Sequence, residues 1–518
     1  MIPLLLPAQD VYLVYLTDKA GSQYDPYETL DAKAIERRLR EGLDLCDQSD
    51  WPVSPTYVRS VARSASHIRY ELRWLNALSV EADPDQIAQI AQLPFVSKVE
   101  ALGEMILSQQ LGLDPEALLL KAKQKLIQQR QQMGLDLFVE AGLDGEGVRI
   151  AILDAGFTGV HESPGFEHLF DNGQIVAVRD FYSDDDKVYA HSAHGNSVLG
   201  CIAGKYGEKL IGAAPNAEFL FARTEHRILE NAVEEDHWLA AMEWADQQGA
   251  DIINSSLGYT NKRYRYEDMD GKTAPVSRSA GMAASKGILV VNSAGNEGSG
   301  KWRYIGAPAD HPQVLSIGGT QTILPIHVSF GSYGPNALGQ RKPNLSAPGV
   351  VSSTSPLSGL SMTSGTSFSA PLVTGFAACV KQKYPDWTLK ELFAKLESYG
   401  HLYPYYDYAH GYGVPQASKV LEAKATGYEN SPSFDVRRAE NELTILLRPQ
   451  AEKRSTKERI IYYHYEQPDR QRLAMYEYRV LRPEADGYKF PLPTPIDDPS
   501  RKGMIRVWLD DYLWEMEW

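Results

Sequence analysis

Between residues 135 and 425 the chain repeats one pattern: a short apolar run, a segment with helical spacing, then another apolar run. The apolar runs are VRIAILDAG from Val148, AEFLFART from Ala217, ADIINSSLG from Ala250, ILVVNSAGN from Ile288 and VLSIGGT from Val314. Between them lie HGNSVLGCIAG from His194, HWLAAMEWADQQG from His237 and VSRSAGMAASKG from Val276. Short apolar strands separated by helices predict an α/β domain whose parallel sheet is covered on both faces. The same constraint locates the chemistry. In such sheets a ligand sits outside the carboxyl ends of the strands, so residues that directly follow an apolar run are the ones to inspect.

The flanks differ in kind. Residues 10–105 mix strand-like runs (DVYLVYLTD from Asp10, HIRYELRWLNALSVEA from His67, FVSKVE from Phe95) with helical segments. One helix is expected over Asp31–Gly42 and another from Asp83, which can cap it with Pro84 in its first turn. This predicts a small α+β domain. Residues 106–134 are polar and helical and read as a connector. Residues 426–518 carry Tyr-rich alternating runs broken by turns such as PLPTPIDDP, and predict a separate all-β domain. Trp508, Tyr512, Trp514 and Trp518 are expected either to fill its core or to dock it on its neighbour. Residues 1–9 (MIPLLLPAQ) have a short apolar run with no basic start, as in the tail of a signal peptide or an ordinary terminus.

Composition removes whole classes. Of 518 residues, 52 are Lys or Arg and 67 Asp or Glu, a net charge of −15 with no basic stripe, which argues against nucleic acid as a partner. No run approaches the length of a membrane-spanning helix. Cys46, Cys201 and Cys379 are too few and too far apart for a disulfide framework or a zinc pair.

Reactive side chains follow the apolar runs in the order Asp, His, Ser. Asp154 ends the strand VRIAILDAG; a ribose-binding acid would need G-x-G-x-x-G before it, and LDGEGVRI does not supply this. His194 opens a stretch of small residues (Gly195, Ser197, Gly200, Ala203, Gly204) that lets a helix pack closely beside it. A histidine next to glycine is more commonly a loop or capping residue, as is its neighbour His191. Ser367, in SGTSFSAP, sits at the start of a helix, where a serine is usually a cap but where the dipole and free N–H groups also favour a developing anion. Asn296, on the loop Ser293-Ala294-Gly295-Asn296-Glu297-Gly298 after a strand, can offer its amide to such an anion.

Taken together these segments resemble the subtilisin-like serine peptidases. The acid motif matches Asp154-Ala155-Gly156. The histidine motif matches His194-Gly195, with Asn196 where the family has Thr. The nucleophile motif fits Gly365–Pro371, with the proline four residues after Ser367. The oxyanion motif matches Ser293–Gly298 and the substrate-edge motif matches Ser256-Leu257-Gly258. The resemblance implies a three-layer, doubly wound, mostly parallel sheet over 135–425, and a propeptide-like role for the N-terminal domain as intramolecular inhibitor and chaperone. It implies an endopeptidase acting on polypeptides, in which Ser367 attacks, His194 moves the proton, Asp154 orients His194 and Asn296 holds the oxyanion. Ser256, Leu257 and Gly258, with Ser293, Ala294 and Gly295, are the implied substrate-binding residues. Export is expected, with a cytoplasmic location left open by the incomplete leader.

Departures bear on the details. The connection CIAGKYGEKLIGAAPN lacks the Asn-rich calcium loop of many relatives, so no metal or other cofactor is assigned. A calcium ion at Asp268-Met269-Asp270-Gly271 competes with a simple solvated turn. Glu297 admits either a contact to basic substrate side chains or a solvated surface role. Cys201, seven residues after His194, is expected to be a packed side chain. The alternative from another class is a non-catalytic scaffold with the same fold. An α/β-hydrolase is contradicted by Ser369 in place of the second glycine of its elbow and by the reversed order of the triad. The C-terminal domain, by analogy with exported relatives, suggests sorting or substrate binding.

Overall fold

The computed structural model describes residues 10–102, 106–107, 115–225, 229–230, 234–260, 263–356, 359–422, 432–448, 459–467, 473–482, 485, 487–492 and 503–518. The segment 1–9, read above as a leader remnant, lies outside the described residues.

The apolar runs form one seven-stranded sheet. Its order is Leu345–Pro348, Leu315–Thr320, Leu289–Ser293, Ile252–Ser255, Arg149–Asp154, Glu218–Arg223, Ile175–Asp180. Every pairing in it is parallel. Period-2 alternation explains why these strands read as unbroken apolar runs, because successive residues serve opposite layers. Ile150 and Ile152 pack with the helices His194–Ala203 and Thr366–Lys383. Ala151 and Leu153 pack with the helices Glu234–Gln247 and Pro275–Ser285. Both layers are closed to solvent: Phe376 on one side and Trp238 on the other are fully buried. Each such side chain contributes about 1.5–3 kcal/mol.

The N-terminal domain is a four-stranded antiparallel sheet in the order His67–Leu72, Ala77–Ala82, Asp10–Leu16, Val96–Leu102. Asp83 closes a capping box with Gln86 at the start of Pro84–Ile90, as the sequence predicts. Val14 and Leu16 face the domain's own helices. Val11, Leu13 and Tyr15 join the apolar cluster of the helices Glu234–Gln247 and Pro275–Ser285, so the two domains share one core.

Residues 115–133 form a helix, but one that is laid onto the sheet domain. Ala122 and Leu126 pack with Ile211 and Leu360. Gln129 exchanges hydrogen bonds with the Ser352 backbone in both directions, at 3.0 and 2.8 Å.

The C-terminal residues form a sandwich of two antiparallel sheets. One has the order Phe434–Arg438, Glu442–Leu447, Tyr488–Pro491, and the other Leu473–Val480, Ile460–Glu466, Met504–Leu509, Tyr512–Glu517. Alternation again assigns the faces. Ile461, Tyr463 and Tyr465 fill the sandwich, whereas Ile460 and Tyr462 pack with Ile326, Leu402 and Tyr405 of the sheet domain. Both expected roles for the aromatic tail occur: Trp508 docks, while Tyr512, Trp514 and Trp518 line the sandwich core.

Candidate active site

Asp154 is the last residue of the central strand and is fully buried. Its Oδ1 accepts the Ala155 N–H at 2.8 Å, and both carboxylate oxygens lie 2.9 Å from His194 Nδ1. A double contact of this kind fixes the ring and places the proton of the neutral tautomer on Nδ1, leaving Nε2 as the base. Burial disfavours the imidazolium, but the Asp154 charge and hydrogen bond outweigh it and hold His194 above its ordinary value.

His194 is the first residue of its helix, and the small residues behind it are sterically required. A Cβ on Gly195 would lie 2.5 Å from the Gly156 carbonyl, and one on Gly200 would lie 2.3 Å from Ser353 Oγ. Asn196 is buried and its amide donates to the Thr158 carbonyl at 3.2 Å, away from the imidazole. Cys201 is buried in the same helix and burial pushes its thiol up to about 12, consistent with a packing role.

Ser367 is the second residue of the helix Thr366–Lys383, with Gly365 at the cap. The Phe368 ring packs against His194 with centroids 5.3 Å apart, which joins the nucleophile segment to the base. Pro371 lies inside this helix. Having no N–H, it leaves the carbonyl of the residue four positions earlier, Ser367, without a helical partner. Ser256 takes that vacant acceptor: its hydroxyl donates to Ser367 O at 2.8 Å, and the Ser367 hydroxyl donates to Ser256 O at 3.2 Å. The proline of the nucleophile motif therefore docks the helix start onto the Ser256-Leu257-Gly258 segment.

That segment follows the strand Ile252–Ser255. Asn292 Nδ2 holds the Leu257 carbonyl at 3.0 Å and Leu257 itself is buried. Gly258 is exposed, and a Cβ added there would meet only the Ala307 carbonyl, at 4.0 Å. Ser293 ends the neighbouring strand, Ala294 is buried and donates to the Ile317 carbonyl, and the Gly295 N–H reaches Thr366 Oγ1 at 3.3 Å. Asn296 is exposed. Its Oδ1 accepts both the N–H and the hydroxyl of Thr366, at 2.9 and 3.0 Å, so its Nδ2 is the group left to donate.

Thr366 and Pro371, which the nucleophile motif includes, and Phe368 and Asn292 thus have supporting roles that the sequence reading did not assign. The signal for Pro371 was in the sequence, as a helix-incompatible residue in the second turn after a candidate nucleophile. The carboxylates of the Asp268–Gly271 segment are engaged locally: Asp268 accepts the Arg265 N–H at 2.8 Å, and Asp270 accepts those of Lys272 and Thr273 at 2.8 and 2.7 Å. Among the described residues no three His, Cys, Asp or Glu side chains are grouped to hold a metal ion. The three cysteines are unpaired.

The family model described as "Subtilase family" matches residues 145–413. The chain belongs to the subtilase family. A second model, "Peptidase S8 propeptide domain, Bacteroidota", matches residues 11–112 of this subtilase, a span that contains the N-terminal sheet domain. An alkaline protease of Alkalihalobacillus alcalophilus is 31% identical over 249 residues, 48% of this chain and 57% of its own length. Alkaline elastase YaB of a Bacillus strain is 26% identical over 323 residues, covering 62% of this chain and 72% of its own. Subtilisin Savinase of Lederbergia lenta is 30% identical over 249 residues, covering 48% and 81%. The match therefore spans little more than half of the first of these relatives. No helix among the described residues is long and apolar enough to cross a membrane.

Proposed function

We propose that this subtilase is a serine endopeptidase whose catalytic residues are Asp154, His194 and Ser367, with Asn296 as an oxyanion donor. The observation that carries the reading is the buried Asp154 carboxylate bonded at 2.9 Å through both oxygens to His194 Nδ1, beside a serine at a helix start. A serine hydroxyl needs a base to become a nucleophile. His194 Nε2 takes the Ser367 proton as Oγ adds to the peptide carbonyl, and Asp154 stabilises the resulting imidazolium. The imidazolium then returns the proton to the leaving amine, and water repeats the sequence to release the acid. Negative charge gathers on the carbonyl oxygen, where Asn296 Nδ2 and the Ser367 N–H at the positive end of a long helix can meet it. The substrate lies as an extended strand along Ser256-Leu257-Gly258 and Ser293-Ala294-Gly295, where Gly258 leaves room for its backbone. In this role the substrate amide competes with the Ser367 hydroxyl for the Ser256 carbonyl, which turns the hydroxyl toward His194.

The N-terminal domain serves as intramolecular inhibitor and chaperone, no metal cofactor is assigned, and the working location is outside the cytoplasm. A fluorophosphonate probe tests the core of this reading. After proteolytic removal of the N-terminal domain it should label the wild-type chain and not Ser367→Ala; absence of label on both would establish a non-catalytic scaffold instead.

A further inference from the structure

Asn296 stands on a loop with little stiffness of its own. Gly295 precedes it with φ of +109° and Gly298 follows two residues later, and glycine leaves a backbone free to move. Thr366 fixes the side-chain oxygen of Asn296. The segment 330–332 fixes the backbone on both sides of it. The Ser332 N–H donates to Gly295 O at 2.9 Å, the Glu297 N–H to Ser332 Oγ at 3.0 Å, and the Gly298 N–H to Phe330 O at 2.8 Å. This approach has no slack, since a Cβ on Gly298 would lie 2.0 Å from the Gly331 carbonyl.

The segment 330–332 is in turn seated on His327. The Gly331 N–H closes a turn onto Val328 O at 3.0 Å, and a Cβ on Gly331 would lie 3.0 Å from His327 Nε2. His327 is buried, and its ring packs on Tyr333 with centroids 4.4 Å apart. Edge-on it meets two further rings, His410 at 6.1 Å and Tyr476 at 6.4 Å. Tyr476 belongs to the strand Leu473–Val480 of the C-terminal sandwich.

Polar bonds fix how these rings stand. Both Asp407 oxygens lie 3.0 Å from His410 Nδ1, which places the proton there and leaves Nε2 to accept the Tyr476 hydroxyl at 3.1 Å. The sandwich also grips the turn just before His327. Thr320 and His327 pair across that turn, the Tyr462 hydroxyl donates to Pro325 O at 3.1 Å, and Ile326 packs in one cluster with Tyr462 and Trp508. A line of close contacts therefore runs from Tyr476 through His327 and Gly331 to the loop of Asn296. Interiors packed to this density pass displacements on and do not absorb them.

We infer that the C-terminal sandwich is a working part of the active site, in which Tyr476, through His327 and the segment 330–332, is a positioning residue for Asn296. This rests on the reading of Asn296 as an oxyanion donor. It gives the sandwich a task other than the sorting or substrate binding expected from the sequence.

The test is a double-mutant cycle in the full-length chain after proteolytic removal of the N-terminal domain. It reads kcat on a peptide substrate per active site, with sites counted by fluorophosphonate titration so that unfolded molecules do not enter. Tyr476→Ala should lower kcat by about tenfold, because a shift of about an ångström in a catalytic group costs up to ~100-fold. In an Asn296→Ala background the same change should cost less than about twofold, since the donor that it positions is gone. Equal losses in the two backgrounds would overturn the inference, because a general loosening of the fold acts whatever residue stands at position 296. An undiminished kcat for Tyr476→Ala alone would overturn it as well. The underlying reading fails in a different way: an unchanged kcat for Asn296→Ala alone would remove the oxyanion role, and this inference with it. Should Tyr476→Ala not fold, Tyr476→Phe combined with Tyr462→Phe keeps both rings and deletes the bonds to His410 and Pro325. A loss of about threefold with Asn296 present and none with Asn296→Ala supports the inference, and equal changes overturn it.

Discussion

His464 gives the sharpest physical test of how the C-terminal sandwich is held. It lies on the strand Ile460–Glu466, is fully buried, and neither ring nitrogen has a hydrogen-bond partner among the described residues. Its ring meets Tyr408 of the sheet domain edge-on, with centroids 5.2 Å apart. Burial drives its pKa from 6.5 down to about 4, with Asp407 and Glu466 opposing and Arg506 and His410 assisting the fall. A base depressed in the folded state is neutral there, while the opened state takes up a proton below pH 6.5. Stability is therefore full above that pH and is lost as pH falls from 6.5 toward 4. Between pH 7 and pH 5 this single group removes about 2 kcal/mol. His464→Phe keeps the ring contact and deletes both unpaired nitrogens, so it should cancel that increment while leaving pH 7 stability equal or higher. The assay is native-state hydrogen exchange of the Ile460–Glu466 amides at the two pH values, in a Ser367→Ala background so that self-digestion cannot intrude. His327 and His401, both lowered to about 3 by burial, add to the acid sensitivity of either protein and cancel in the difference. Equal pH dependence in parent and variant would refute the reasoning, because the proton uptake would then belong to other groups.

Three further outcomes are expected. Asn296→Ala should lower kcat by about 10²–10³ with little change in KM, measured on a peptide substrate, since its free Nδ2 is assigned to the transition state alone. Asp154→Asn should lower kcat by about 10⁴ and move the acid limb of the pH–rate profile downward. The sign follows from Asp154 being what raises His194, and an unmoved limb would contradict that cause. Gly195→Ala, which drives a Cβ to 2.5 Å from the Gly156 carbonyl, should cost about 1–3 kcal/mol and appear as a lower Tm even in the Ser367→Ala background.

The parallel sheet was legible because its strands are buried on both faces and so read as continuous apolar runs, with Ile150 and Ala151 serving opposite layers. Asp154, His194, Ser367 and Asn296 could be singled out as candidates because each follows such a run or opens a helix. The supporting geometry was not. Nothing local in DAKAIERRLREG distinguishes two buried arginines from a solvated basic face, because their partner Asp246 lies more than two hundred positions away. The helix Pro115–Met133 read as a connector for a similar reason. Its polar surface hides the fact that Gln129 completes the backbone of Ser352, a contact that only tertiary structure creates.

The docking of the C-terminal sandwich also sets a timetable. Tyr405 and Asp407 of the subtilase domain are fully buried, and their cover includes Tyr462 and Trp508, while His410 bonds Tyr476 at 3.1 Å. During synthesis these partners leave the ribosome after the whole of the subtilase domain. At the usual pace of elongation, the residues from 423 to 518 take about 5–20 s to make. For that interval the segment around Asp407 stands without its lid, so the domain that carries Asp154, His194 and Ser367 completes its packing only after Trp508 has been made.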